Sequence, residues 1–256
     1  MLMGNISVNP GDRFTTKQGY SVEIVAYYNA KRVLVRFDDP HGTEIEVENV
    51  QIQRGNLTNP MHPTTFGIGF IGVGEYRTRI VPGVMTPEYT IWRHMLQRCF
   101  DNSYQIKAPT YQDCLVDSDW HNFQNFSKWC YGQEGFLNKW FLDKDLLLSG
   151  NKIYSSDTCV FVPREVNNFL LKRESKRGAF PIGVSYDKNS KKFASQGNFK
   201  GFHKKFLGRF NTAEDAFREY KRVKENHAKY LAKKYSGKLD SRAIDALMNY
   251  KVNIDD

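Results

Sequence analysis

Leu142-Asp143-Lys144-Asp145-Leu146-Leu147 is an apolar run that ends in two carboxylates, and Thr158-Cys159-Val160-Phe161-Val162-Pro163-Arg164-Glu165-Val166-Asn167 follows it. The polar turn Ser149-Gly150-Asn151-Lys152 separates them, so the pattern predicts strand, turn and second strand over Cys159 to Val162. Pro163 then opens a helix that carries Asn167 in its first or second turn. An Asp and an Asn brought together this way offer the oxygen ligands that a hard cation such as Mg²⁺ prefers.

This stretch resembles the ββα-metal core of the HNH (His-Me finger) nucleases. The resemblance implies that Asp143 and Asn167 are metal ligands, that Asp145 assists, and that the general base stands at position 144. The family has His there and this chain has Lys144. A Lys acts as a base only after burial or a nearby cation lowers its pKa far enough to free the amine. The other reading of Lys144 is a surface cation that balances Asp143 and Asp145 or holds phosphate. His94 and His121 could supply a base from elsewhere or finish a metal site, but a His that points at solvent or caps a helix is the expected reading, and the placement of His121 favours a structural role. Asp119 is the expected N-cap beside His121.

Composition limits the alternatives. The chain has 256 residues, 40% hydrophobic and 14% aromatic, enough for real cores and against disorder as the main state. Residues 170–256 hold 21 Lys/Arg against 10 Asp/Glu, while residues 1–169 hold 16 against 18. A basic C-terminal third beside a near-neutral remainder points to a polyanion partner. Cys99, Cys114, Cys130 and Cys159 form no Cys-x-x-Cys pair, which argues against a structural zinc site and a disulfide framework. Met1-Leu2-Met3-Gly4-Asn5 lacks a basic or apolar leader and no run reaches membrane-spanning length. The expectation is a soluble cytoplasmic protein with no membrane partner, in the host cytoplasm if phage-encoded.

From Pro181 onward the chain resembles the AP2 DNA-binding domain, through Ile182-Gly183-Val184-Ser185-Tyr186-Asp187, Lys192-Phe193-Ala194-Ser195-Gln196, Phe206-Leu207-Gly208-Arg209-Phe210-Asn211-Thr212-Ala213-Glu214-Asp215-Ala216 and Tyr220. Ser185 stands where that family has Arg. The residues alone predict strands at about 183–187, 192–199 and 202–210. Thr212 with Asp215 forms a capping box, and a helix follows with Ala216, Phe217, Tyr220, Val223, His227, Tyr230 and Leu231 on one face. Some subset of Tyr186, Lys188, Lys192, Gln196, Asn198, Lys205 and Arg209 then lines the other sheet face, where such side chains read base edges and hold phosphates. Lys221, Arg222, Lys224, Lys229, Lys233 and Lys234 mark the helix's polar side, either for phosphate or for solvent.

The expected architecture is α+β and multi-domain. Residues 1–57 read as an SH3- or Tudor-like β-barrel and 58–85 as a Gly/Pro-rich linker. An HNH-like ββα domain occupies 86–172, an AP2-like domain 178–236, and a tail or short helix 237–256. Gly67-Ile68-Gly69-Phe70-Ile71-Gly72-Val73-Gly74 contains G-x-G-x-x-G, but Pro82-Gly83 follows instead of a helix, so a turn with close backbone packing is expected and no cofactor site. A helix is expected over Trp120 to Trp129, in which Trp120, Phe123, Phe126 and Trp129 recur every third residue and read as core. The leading function is a phage-type, Mg²⁺- or other divalent-cation-dependent endonuclease on double-stranded DNA. The rival is an inactive nucleic-acid-binding protein on a decayed HNH fold, a regulator or inhibitor of a host system. A minor third is an adaptor that binds a protein through its N-terminal barrel.

Overall fold

A computed structural model describes residues 8–171, 179–199, 201–202 and 205–254. The basic stretch 172–178, which from its Lys and Arg run is expected to be a hinge to the last domain, lies outside the described residues, as do 1–7, Lys200 of a turn expected at Lys200-Gly201, and 203–204 of the expected third strand. The chain is mixed α and β and divides into two compact units, Met1–Lys128 and Trp129–Asp256. Among the described residues no helix is long and apolar enough to cross a membrane.

The first unit begins with an antiparallel meander of β1 (Arg13–Thr15), β2 (Ser21–Asn29), β3 (Arg32–Phe37) and β4 (Glu44–Val47), closed by the short helix α1 (Asn49–Gln53). Alternation drives it: Val22, Ile24, Val33, Val35, Phe37 and Val47 turn inward and pack with Ile52 and Leu57. The solvent side carries the ion pairs Arg36–Glu44, directly opposite across β3 and β4, and Arg32–Glu46, on the diagonal.

The rest of this unit contains the hairpin β5 (Arg79–Val81) and β6 (Val84–Met85), then α2 (Pro87–Phe100), α3 (Asn102–Lys107), the short strand β7 (Leu115–Val116) and α4 (Phe123–Tyr131), inside which the two units divide. Thr86 caps α2, accepting from the Tyr89 N–H at 3.4 Å. Trp92, Met95 and Leu96 point inward, as do Trp120, Phe123 and Phe126. The expected Trp120–Trp129 helix is shorter at its start. Ser118–His121 forms a 3₁₀ turn capped by Asp117, not Asp119, and Asn122 Oδ1 accepts the Gln124 N–H at 2.9 Å where α4 begins. Asp117 wins because its carboxylate stands two residues before the N–H it accepts.

The glycine run packs tightly against these helices. A Cβ on Gly69 would stand 2.3 Å from Leu96 Cδ1 and 2.8 Å from the Trp92 ring, and Gly72 and Gly74 abut the Asn122 and Gln124 side chains. Phe70 bridges to the turn before α4, its N–H donating to His121 O and its carbonyl accepting from Phe123 N–H, both at 3.0 Å.

The second unit contains α5 (Glu134–Leu137), β8 (Phe141–Asp143), β9 (Ile153–Tyr154), β10 (Val160–Val162) and α6 (Arg164–Leu170). After these come β11 (Val184–Asp187), β12 (Lys192–Gln196), β13 (Phe206–Phe210), α7 (Ala213–Lys234) and α8 (Ser241–Met248). β8 and β10 pair antiparallel with Asp143 opposite Val160, and α6 follows directly, giving strand, strand and helix in the expected order. β11, β12 and β13 form a three-stranded antiparallel sheet. The expected separate 86–172 and 178–236 pieces do not have separate cores here. Leu146, Val160, Val162, Val166 and Phe169 share one core with Ala228, Leu231, Leu239 and Leu247. Phe199, Phe217, Tyr220 and Val223 make a second cluster against Val184 and Leu207.

Gly69→Ala is expected to destabilise the first unit by about 1–3 kcal/mol through overpacking against the Trp92 ring. Gly67→Ala, where nothing lies within 4 Å but φ is +74°, should cost about 1 kcal/mol from the backbone alone. Urea unfolding followed by tryptophan fluorescence measures both.

Candidate functional site

Two arrangements in the second unit gather the sequence-predicted residues. The first surrounds Asp143. Its Oδ1 accepts backbone N–H groups from Asp145 at 3.0 Å and Leu146 at 2.8 Å, closing the turn that ends β8. Burial raises the Asp143 carboxyl above the ordinary aspartate range, opposed by those two N–H groups and by Lys144. Cys159 beside it is fully buried, and its thiol is pushed up to about 12, chiefly by desolvation. All four cysteines are free and buried.

Lys144 is not a surface cation; only 8% of it is exposed. Its Nζ donates to Asp145 Oδ1 at 2.6 Å and to the Asn151 carbonyl at 2.7 Å. Asn151 completes the clasp: its Nδ2 donates to the carbonyls of Lys144 at 2.8 Å and Ile153 at 2.7 Å, and its Oδ1 accepts the Ile153 N–H at 3.1 Å. The 144–151 loop is thereby stitched across its base, and the amine is engaged with two acceptors. Asp145 is exposed apart from this contact. His121 and His94 both lie in the first unit. His121 Nε2 is 3.0 Å from the Val116 carbonyl and its ring lies edge-on to Phe100. His94 is exposed, its pKa lowered by partial burial and by Arg98 and Arg93.

Asn167 lies half-buried in the second turn of α6. Among the described residues no hydrogen bond engages its carboxamide or Asp143 Oδ2. Each offers a hard oxygen of the kind Mg²⁺ accepts as a protein ligand. No group of three or more His, Cys, Asp or Glu residues able to hold a metal occurs among the described residues.

α7 fixes the helix that carries Asn167. Lys224 Nζ donates to the Phe169 carbonyl at 2.5 Å, at the C-terminal end of α6, and lies 3.7 Å from the Phe169 ring centroid. Burial lowers its pKa to about 8. Glu165 Oε2 accepts from Lys234 Nζ at 2.6 Å and from the Tyr235 hydroxyl at 2.9 Å. Lys221 reaches the Val252 carbonyl at 2.6 Å, and Arg222 forks onto Glu219. Much of the polar side of α7, open from sequence to a phosphate or solvent reading, therefore holds its own unit together; Lys229 and Lys233 remain exposed. His227, 3% exposed, has no hydrogen-bond partner on either ring nitrogen among the described residues and stacks on Phe202 at 5.1 Å. Its pKa is lowered to about 4, first by burial, then by Lys224 and Lys234 against Glu165.

The second arrangement is the three-stranded sheet. Val184, Phe193 and Ser195 share the face covered by α7, where Ser195 is fully buried. Asp187, Lys192, Ala194 and Arg209 share the other face by register. A bulge between Ser195 and Gln196 pairs Gln196 with Phe206 while Ser195 pairs with Gly208. Gly208, at φ 149°, accommodates it. The extra residue is Leu207, which packs into the cluster under α7, and Phe206 comes to the open face beside Arg209.

No family model, curated protein or solved structure matches this chain. The function must be read from these two arrangements.

On the open face Arg209 is held from two sides. Its Nε donates to Asp187 Oδ2 at 2.8 Å, and its Cζ lies 5.2 Å over the Phe206 ring, which is 46% exposed. The Arg209 contact, with Ser190 and the turn amides, holds the Asp187 carboxyl down at about 2. Both Arg209 Nη groups stay uncommitted among the described residues. Lys192, Gln196 and Arg209 are brought together on this face; Lys188, Asn198 and Lys205 are exposed in the connections at its ends. Tyr186 stands on the opposite face, opposite Phe193 in the register and edge-on to it at 5.2 Å. Sequence reasoning missed Asp187 and Phe206 as site residues and Asn151 as the anchor of the loop. Phe206 was within reach of a β-bulge reading at Leu207-Gly208.

Lys144→Met is expected to destabilise the second unit by roughly 1–3 kcal/mol, because it leaves the Asn151 carbonyl and Asp145 without their donor. Chemical denaturation of the full chain measures it. His227 carries a pH signature. Its folded pKa is below the unfolded value, so the unfolded chain binds more protons between about pH 6.5 and pH 4 and stability falls as pH falls through that window. Wild type should lose roughly 1–2 kcal/mol more than His227→Phe between pH 7 and pH 5 in urea titrations.

Proposed function

We propose that this protein binds double-stranded DNA through the open face of the β11–β13 sheet. The observation that carries this reading is the Asp187–Arg209–Phe206 assembly. A guanidinium oriented through Nε and stacked on an exposed aromatic ring keeps its Nη fork free, the geometry suited to the O6 and N7 acceptors of guanine. Lys192 and Gln196 flank it on the same face, and Lys188, Asn198 and Lys205 surround it as phosphate and sugar contacts. The basic C-terminal third supplies the sequence-independent attraction. In this reading the C-terminal sheet and helix are an AP2-like module and the N-terminal meander an SH3-like barrel.

The 141–170 segment, read as HNH-like, supports two functions. The clasp of Lys144 with Asp145 and Asn151 favours a binding protein whose HNH-like segment is a scaffold, since the residue at the base position is committed to holding its own loop. The unengaged Asp143 Oδ2 and Asn167 carboxamide favour metal-dependent phosphodiester hydrolysis. Mg²⁺ bound there would polarise the scissile phosphate. This chain's own contribution would be Asp143, oriented by the Asp145 and Leu146 amides, and Asn167, oriented by Lys224 and Glu165 through α6.

Supercoiled plasmid incubated with Mg²⁺, Mn²⁺ or chelator, beside binding titrations at two salt concentrations, separates these readings. Salt-sensitive binding without nicking is the expected result. Nicking that needs metal and disappears in Asp143→Ala, with binding intact, would establish the nuclease instead. Arg209→Ala should weaken binding by about 1–3 kcal/mol and relax preference at one base pair. Lys192→Ala should weaken all sequences alike and lower the salt slope by about 1. Absence of duplex binding at low salt would remove the proposal.

A further inference from the structure

The first unit has a feature that neither arrangement uses. Every residue of the β5–β6 hairpin, 79–85, is exposed. Ile80 is 63% exposed, Val81 52%, Val84 48% and Met85 37%, so none of the four is buried in the described structure. Because Val81 pairs with Val84, Ile80 projects from the other side of the ribbon, so both faces are apolar and bare. A two-stranded ribbon in this state gains nothing from burial in the free protein.

The ribbon is nonetheless firmly rooted. The Thr86 N–H donates to the Thr78 carbonyl at 3.1 Å and its hydroxyl to the Arg77 carbonyl at 3.1 Å, while the same Thr86 caps α2. Pro82 and Gly83, the latter at φ +85°, close a tight turn at the tip. The cations at the root, Arg77 and Arg79, make no ion pair among the described residues, and Glu75 is the sole carboxylate in 73–85.

We propose that this hairpin is a wedge for duplex DNA, a proposal that rests on the DNA-binding reading above. Ile80 and Val84 would enter between adjacent base pairs from the minor groove, and Arg77 and Arg79 would sit on the flanking phosphates. Two facts select this occupant. A ribbon bare on both faces calls for a partner that covers both at once, as the two base pairs of an opened step do, whereas a partner protein adding a strand or laying down a surface covers one side. The paired cations at the root complement a polyanion. Apolar side chains inserted with arginines alongside are a known way to unstack and kink a duplex.

The test uses the full chain with chelator present, so that cleavage does not intervene. Closed circular plasmid is relaxed by a metal-independent topoisomerase with increasing protein, and topoisomers are counted after protein removal. Wild type should shift the linking number. Ile80→Ser/Val84→Ser, which alters exposed positions only and should keep the wild-type melting curve, should abolish the shift and weaken duplex affinity on the order of tenfold. Arg77→Ala/Arg79→Ala should lower the salt slope of binding by about 2. Duplex binding with no linking change, or an unaltered shift in the Ile80/Val84 variant, overturns the wedge and leaves the sheet reading standing. A wild-type dimer lost in that variant also overturns it, by assigning the hairpin to a second copy. Failure of wild type to bind duplex at all removes the DNA reading and the wedge together.

Discussion

One helix has to bury its apolar face against two different partners. Along α7, Phe217, Tyr220 and Val223 lie under the three-stranded sheet, while Ala228, Leu231 and Ala232 face Val160, Val162 and Val166. A helix stripe repeats every three to four residues, so one 22-residue helix serves both partners in succession along its length. Everything else in the second unit follows from this sharing. The sheet cannot shed its helix without exposing the strand–strand–helix segment, and Asn167 owes its position to Lys224 and Lys234 on the same helix and to Tyr235 at its C-cap. The small residues Ala228 and Ala232 let that segment approach closely.

Where the signal was local, the sequence was readable. The β2–β3 hairpin follows from two β-rich runs on either side of Asn29-Ala30, α2 from Thr86-Pro87, and α7 from Thr212, whose hydroxyl accepts the Asp215 N–H at 3.1 Å. The strand, turn, strand and helix order over 141–170 was equally legible, because each boundary carries its own turn or proline. Tertiary partners were not legible. Nothing near Lys144 in sequence announces that its amine ends on a carbonyl seven residues away, or that the residue there would be buried. The aromatic period over 120–129 was right about burial but not about the helix start, because a 3₁₀ turn satisfies nearly the same spacing.

The candidate site divides the same way. A period of two assigns Lys192 and Arg209 to the open face correctly, given the register. It also adds Tyr186, which the register places on the other face, opposite Phe193, where it is 43% exposed. Phe206 escapes by the opposite route: simple alternation from Arg209 sends it inward, and only the extra residue in β13 returns it to the surface. A single bulge thus decides whether the guanidinium rests on an aromatic ring or stands alone. Lys224 and Lys234 show a comparable limit in charge counting, since cations that inflate the basic balance of the C-terminal third are partly consumed inside it.

The shared helix also fixes a distance. Between Tyr220 under the sheet and Leu231 beside the Asp143–Asn167 segment, a rigid rise of about 1.5 Å per residue leaves roughly 16 Å with no flexible spacer. A module on a tether samples a range of positions along whatever it holds; one mounted on the same rod as its neighbour meets its ligand at a constant phase. Changing that offset takes insertion of whole helical turns into α7, because any other number rotates one half of the apolar face out of register with the other.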